Sequence, residues 1–302
     1  MTTHTFQPNT YWNTFGSHAE VLRIADGDTV ITTTIDAWGL DSAGKLQNSG
    51  SNPQTGPFFI EGAQPGDTLA VRIERLSPDR AFGHTRSALA ANVVDPWTVK
   101  ALPANDKIEW QIDLAAGTAT PASQVSGFAR RAYALEPMLG CIGVAPEDGQ
   151  AISTSTSGSF GGNMDYRGFK EGVTAYFPVF TPGALLFLGD GHALQGDGEI
   201  IGTGIETTFE VQFSVKVLHG QRIRNPRGEN SEEIFTVGNA RPLEEALQHA
   251  TSEMYAWLQE GYHLDAPSAS VLMGMCVRYE IGNVFDPAYT VVCKLAKKDL
   301  TA

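Results

Sequence analysis

From Phe209 to Val217 every second residue is apolar: Phe209, Val211, Phe213, Val215 and Val217 alternate with Glu210, Gln212, Ser214 and Lys216. A period of two puts the two sets on opposite faces of a pleated strand, so Thr208–Leu218 reads as a strand with one buried face. Thr68–Leu76 repeats the pattern, with Leu69, Val71 and Ile73 against Ala70, Arg72 and Glu74. Val21–Asp36 reads as two short strands around Asp26-Gly27-Asp28, the second a nearly unbroken β-branched run from Val30 to Ile35. Lys107–Leu114, Gly172–Phe180 and Ala184–Leu188 are further strands, the last two flanking Thr181-Pro182-Gly183. The 32 glycines and 16 prolines are spread along the chain. That is how many short strands joined by turns are punctuated. Ala151–Gly162, rich in Ser, Thr and Gly, reads as a surface loop able to close over a site.

The character changes after Asn239. Pro242 suits a first helical turn, and Leu243, Ala246, Leu247, Ala250, Met254, Trp257 and Leu258 share one helical face that Gly261 ends. That stripe packs on the β body or serves as an oligomer contact. A second helix is expected near Ser268, presenting Leu272, Met273 and Cys276, and a last strand at Tyr289–Leu295 after Asp286-Pro287. The expected organisation is a mainly β, sandwich- or barrel-like body over residues 1–240, with room for two β lobes. Residues 241–302 add C-terminal helices and a closing strand on the same unit.

Charge narrows the function. With 21 Lys+Arg against 34 Asp+Glu the net charge is −13. That excludes nucleic acid and anionic membrane surfaces as partners, since both need clustered cations. No apolar run reaches the ~18–20 residues of a membrane span, and Met1–Tyr11 lacks the apolar core of a secretory signal. Cys141, Cys276 and Cys293 are odd in number, scattered and without a CxxC pair. We expect a reducing, cytoplasmic location and no zinc ribbon.

Chemistry concentrates at Gly189-Asp190-Gly191-His192-Ala193-Leu194-Gln195-Gly196-Asp197-Gly198-Glu199. The spacing fits neither a phosphate loop, a dinucleotide fingerprint nor an EF-hand, and the plain alternative is a surface turn. Adjacent carboxylates repel, and a shared proton or a divalent metal relieves that. Asp36, His192 and Glu206 all fall at or near strand ends. One imidazole and two carboxylates suit a catalytic zinc with a position left for water. Asp36 as a turn cap and Glu206 as a solvent-facing strand residue are the structural alternatives.

Several segments together resemble the acetamidase/formamidase family. They are Asn52–Ala63 (NPQTGPFFIEGA) with Pro65-Gly66-Asp67-Thr68-Leu69, Gly140–Pro146 (GCIGVAP), Gly161-Gly162-Asn163-Met164-Asp165, and Gly189–Glu206 (GDGHALQGDGEIIGTGIE), in the family's order. The resemblance runs from about Gly16 to the last strand. It implies hydrolysis of a short aliphatic amide, formamide or acetamide, by a mainly β homo-oligomer. It also implies a divalent metal, zinc first and calcium as the alternative. On that footing His192, Glu206 and Asp36 are the expected ligands. Glu61 and Glu199 are candidates for the proton-transferring carboxylate or for orienting the metal or His192. Asn163, Asp165 and Gln195 are suited to holding the amide, or for Asn163 and Asp165 to capping loops. The segment Phe82-Gly83-His84-Thr85 departs from the family pattern, leaving His84 as a second ligand, a pocket wall or a loop residue. Glu136–Leu139 is also atypical and bears on substrate preference. Cys141 as a nucleophile lacks a nearby lysine, and a buried thiol explains it better; Cys276 and Cys293 read as core. The competing readings are a hydrolase of another C–N compound, such as a ureido substrate, and a non-catalytic, calcium-binding β-sandwich.

Overall fold

The computed structural model describes residues 1–121 and 131–300. Two large sheets face each other. The nine-stranded sheet runs from the edge strand Thr3–Thr5 through Thr29–Thr33, Phe209–Leu218, Thr68–Pro78, Thr174–Pro178, Arg227–Glu229, Glu233–Ala240 and Tyr289–Ala296 to Arg278–Ile281. The second sheet has twelve strands, and Leu186–His192 lies inside it, between Met138–Val144 and Glu206–Thr207. Between the sheets lies one continuous apolar core to which both contribute, with Phe213, Val71 and Val215 from one and Phe58, Ile142 and Leu188 from the other. Phe58 and Phe213 meet edge to face across it, centroids 5.2 Å apart.

The alternating segments form the strands they predict. Phe209–Leu218 buries Phe209, Val211, Phe213, Val215 and Val217. It pairs along its length with Thr68–Pro78, with a register shift between Gln212 and Phe213. Expected neighbours are split between sheets, however. Leu22–Ile24 joins the twelve-stranded sheet and Thr29–Thr33 the nine-stranded one, so Asp26-Gly27-Asp28 is a crossing between layers and not a hairpin. Thr208 is a second crossing, and it leaves Glu206–Thr207 in the other sheet beside His192.

Three expectations need correction. Gly189–His192 is not a surface turn: these residues complete the fully buried strand Leu186–His192. Ala151–Gly162 is not a free surface loop, because Ile152–Ser153, Ser157–Gly158 and Gly161–Asn163 are strand segments and Thr154, Ser157 and Phe160 are buried. The long helix, Leu243–Tyr262, passes through Gly261 and ends at His263, which takes the left-handed conformation. Ala246, Ala250, Met254 and Leu258 bury against Ile234, Val291, Cys293 and Leu295 on the outer face of the nine-stranded sheet, while Leu247 is exposed. The second helix, Ala266–Cys276, starts at Asp265, whose side chain accepts the Ser268 N–H at 2.8 Å. Among the described residues no helix is long and apolar enough to cross a membrane.

Candidate active site

Because Gly189–His192 is strand, Asp190 and His192 are two residues apart on one face. His192 is wholly buried. Its Nε2 lies 3.2 Å from Asp190 Oδ1 and 3.1 Å from Glu206 Oε1, Glu206 being its cross-strand neighbour. Its Nδ1 lies 2.7 Å from Gln195 Oε1. The Gln195 amide nitrogen donates to the carbonyls of Asp165 and Gly282, which fixes which end of that amide faces the imidazole. Nδ1 therefore carries a proton, and Nε2 is turned toward two carboxylates.

Asp165, Glu199 and Asp286 extend the cluster. Three overlapping groups, Asp165–Asp190–His192, His192–Glu199–Glu206 and Asp165–Glu199–Asp286, each bring their ligand atoms within 4.8 Å of one another. All six residues are buried, and among the described residues no lysine or arginine pairs with these carboxylates. Asn52 Nδ2 donates to Asp190 Oδ2 at 3.0 Å and to Asn163 Oδ1, and Asn163 Nδ2 donates to Asp286 Oδ2. Asn283 Nδ2 donates to Asp165 Oδ2 at 3.2 Å. Asp165 Oδ1 and Glu206 Oε2 are buried with no hydrogen-bond partner among the described residues.

So many acids out of water cannot all stay ionised alone. Burial raises Asp165 and Glu199 well above the usual carboxylate range. Glu199 and Asp286 add repulsion at Asp165, and Asp286 does so at Glu199. Burial also raises Glu206, against the pull of His192. Asp286 is pushed up to about 6, again by burial, with hydrogen bonds from Asp165 and Asn163 opposing. At His192 burial favours the neutral ring, but Glu206 and Asp190 outweigh it and raise the imidazole well above 6.5. Cys141, buried beside Asp190, Asp165 and Asp286, has its thiol raised well above 9 and stays protonated.

The backbone is specialised here. Asn52, Asp165, Asp190 and Glu199 have φ of 47°, 44°, 55° and 46°; they are four of the eight described non-glycine residues with positive φ. Conformations of this kind persist where surrounding structure enforces them, and they gather at sites. A Cβ at Gly140 would lie 2.5 Å from Asp165 Oδ1 and 3.0 Å from Asp190 Oδ2, so only glycine lets these carboxylates approach that strand. The cluster opens into a cleft of 180 Å³ lined by Trp38, Asn52, Asn163, Asp190, Glu206 and Phe285 among others. Sites for drug-sized ligands run to about 300–1,000 Å³, so this one suits a molecule of a few heavy atoms. A larger cavity of 490 Å³, between residues 222–227 and the long helix, holds no such cluster.

Of the residues anticipated from sequence, the structure brings His192, Glu206, Glu199, Asn163, Asp165 and Gln195 together. It does not bring Asp36 or Glu61 to them. Asp36 Oδ2 pairs with Arg80 at 2.7 Å, and its Oδ1 accepts the Trp38 and Leu40 N–H groups, so both oxygens are committed to a turn and a buried ion pair. Glu61 is exposed on the turn after Gln54–Ile60. Gln195 is committed at both ends of its amide and orients His192 without a free group for a substrate. His84 lies between Trp38 and Phe82, ring centroids 5.3 and 5.7 Å away, outside the cluster. Asp190, Asp286, Asn52 and Asn283 were not singled out. For Asp190 the signal was present, two residues before His192; Asp286 and Asn283 reach the site from the far end of the chain and carry none.

A cation fits this centre. Two buried carboxylate oxygens lack partners among the described residues, the acids outnumber the single base, and the donor set is oxygen-rich with one imidazole nitrogen. Fold and site together define a β-sandwich protein with a buried polyacidic centre that opens into a small cleft.

Comparison with known proteins identifies the family. The acetamidase/formamidase family profile matches residues 148–254. An acetamidase of Yersinia enterocolitica superposes with a TM-score of 0.84 at 30% identity, covering 99% of this chain and 93% of that one. A predicted acetamidase/formamidase of Thermoanaerobacter tengcongensis gives 0.85 at 28% identity, covering 99% and 97%. A Schizosaccharomyces pombe relative provisionally named a formamidase is 26% identical over 269 residues, 70% of this chain. The match spans 65% of that protein's length, less than two thirds of it. The chain belongs to the acetamidase/formamidase family.

Proposed function

We propose that the chain hydrolyses a short aliphatic amide, formamide or acetamide, to carboxylate and ammonia, with a divalent cation at the buried centre. The observation that carries this reading is the convergence of His192 with Asp165, Asp190, Glu199, Glu206 and Asp286 on a small cleft. His192 Nε2, Asp190 and Glu206 would hold the cation: the imidazole nitrogen suits zinc, taken first, and the surplus of carboxylates is what keeps calcium as the alternative. Such an ion supplies Lewis acidity and acidifies a coordinated water. Gln195 keeps Nδ1 protonated and so leaves Nε2 as donor atom. We read the chain as a cytoplasmic homo-oligomer, in keeping with its three free cysteines.

Of the three remaining acids, Asp165, Glu199 and Asp286, the last two divide the proton work. Environments that push the pKa values of neighbouring acids apart separate acid from base. Asp286, at about 6, is ionised at neutral pH and takes a proton from the attacking water. Glu199, whose burial and repulsion from Asp286 favour the protonated form, gives a proton to the amide nitrogen as the C–N bond breaks. Water oxygen ends on the acyl carbon, nitrogen leaves as ammonia, and the proton on Asp286 returns to Glu199. Asn163, already anchored by Asn52 and Asp286, borders the cleft where an amide group would lie.

An ammonia-release screen over formamide, acetamide, longer amides and ureido compounds tests this. Formamide or acetamide turnover that falls at least about 100-fold in Glu199→Gln and survives Cys141→Ala supports the assignment. Preference for a ureido compound would move the substrate class. No ammonia from any of them by metal-loaded protein would leave the cation-binding, non-catalytic reading.

A further inference from the structure

Arg222, Arg224 and Arg227 fall within six residues of a chain whose net charge is −13. They occupy the connection from Phe209–Leu218 into Arg227–Glu229. Ile223, between the first two, is buried, which pins the segment and leaves Arg222 and Arg224 exposed on either side of it. Neither of these two side chains has an ion pair or a hydrogen bond among the described residues. Three guanidiniums so close together repel one another, and the fold offers two of them no carboxylate in return.

Arg227 is only 7% exposed. Its Nε donates to Glu253 Oε1 at 2.7 Å, and Glu253 Oε2 accepts the Asn225 N–H at 3.1 Å, so that carboxylate has both oxygens occupied. A guanidinium carries five N–H donors, and one carboxylate takes about two of them. Glu260, the other acid nearby, lies 3.8 Å from Nη2, beyond a hydrogen bond, with its side chain 66% exposed. Apart from Glu253, the Arg227 side chain has no hydrogen-bond acceptor among the described residues. Buried donors of this kind are costly to leave unmet. They line the cavity of 490 Å³ between the arginine segment and the long helix. His249, Ser252, Glu253, Ala256 and Glu260, recurring every three or four residues, form the helix wall of that cavity. His249 Nδ1 is also buried with no partner among the described residues. The volume falls in the range of small-molecule sites, and no lining residue is shared with the acidic cleft.

We propose that this cavity is a second ligand site, separate from the acidic cleft, which holds a small molecule by an oxyanion group, a phosphate or a carboxylate. The planar guanidinium fork matches both groups. Arg227 is preorganised for the task, because Glu253 fixes its Nε and its Cζ lies 5.1 Å from the centroid of the Trp257 ring. Arg222 and Arg224 approach the anion from the solvent side, and the Ser252 hydroxyl adds a donor on the helix wall. Around the cavity three arginines face two carboxylates, one of which, Glu253, is committed to Arg227 and Asn225. A bound oxyanion supplies the acceptors that the fold withholds and relieves the repulsion among the guanidiniums.

Calorimetric titration of the purified full chain with inorganic phosphate, and separately with acetate, at constant ionic strength tests it. Saturable binding is expected; tighter phosphate assigns a phosphorylated ligand, and tighter acetate a carboxylate. The double variant Arg222→Ala, Arg224→Ala removes two exposed side chains and should weaken binding by about tenfold or more, the worth of one charge-assisted hydrogen bond. Arg72→Ala, which removes an exposed arginine paired with Glu74, should leave it unchanged. Histidine-resolved NMR on the wild type locates the ion without any variant: the His249 ring signals should move with the same saturation. No saturable binding of either ion, equal affinity in the double variant, or movement at His192 and not at His249 would each overturn the proposal.

Discussion

Asp36→Asn separates a ligand from a structural acid. Asp36 and Arg80 have side chains 0% and 1% exposed and are joined at 2.7 Å. Asparagine keeps an oxygen for the Trp38 and Leu40 N–H groups but turns a neutral amide toward the guanidinium. Removing one partner of a buried ion pair costs about 3–5 kcal/mol, because the other charge is left uncompensated. The Phe82, Asp41 and Glu206 carbonyls still accept from Arg80, which places the loss toward the lower end. For a chain of this size about 2 °C is lost per kcal/mol, so the midpoint should fall by about 6–10 °C. Calorimetry reads that shift, and elemental analysis of the same sample should show its divalent cation retained. Unchanged stability with lost cation would refute the reasoning and return Asp36 to the ligand set.

Other expectations follow from single contacts. In Gly191→Ala the new Cβ falls 2.0 Å from Phe209 Cδ2, so the variant should lose about 1–3 kcal/mol in denaturant unfolding, and Phe209→Leu should partly restore it. Gly140→Ala drives a Cβ to 2.5 Å from Asp165 Oδ1 and should weaken cation binding in calorimetric titration more than it lowers stability. His84 is held down to about 4, first by burial and then by Lys107 and Arg80. A lowered folded value means the unfolded chain binds the proton first. The stability that neutral His84 provides is complete above about 6.5 and drains as pH falls toward 4, on the order of 3 kcal/mol at most. Acid unfolding of His84→Leu should lack that part of the slope; an identical slope would assign it elsewhere.

The fold was legible wherever burial is one-sided. Phe209–Leu218 alternates because one face meets the core and the other does not. The long helix shows its period because only one stripe meets the sheet. Leu186–His192 is buried on both faces, so nothing alternates, and Gly-Asp-Gly within it looks like a turn. That reading concealed Asp190, since only in a strand do residues 190 and 192 point the same way. His192, Glu199 and Glu206 were found because they are close in sequence. Asp286 and Asn283 were not, because the sheet order that carries them to the site is a long-range property. Asp36 and Glu61 had plausible neighbours in sequence, but Arg80 claims one and solvent the other.

Elemental analysis of the purified wild type beside His192→Ala and Glu206→Gln most directly probes whether the buried acids and imidazole form a cation centre. The structure predicts a stoichiometric divalent ion in the wild type that both variants lose while remaining folded. Full amide turnover by wild-type protein stripped of divalent ions, or unchanged ion content in both variants, would contradict it.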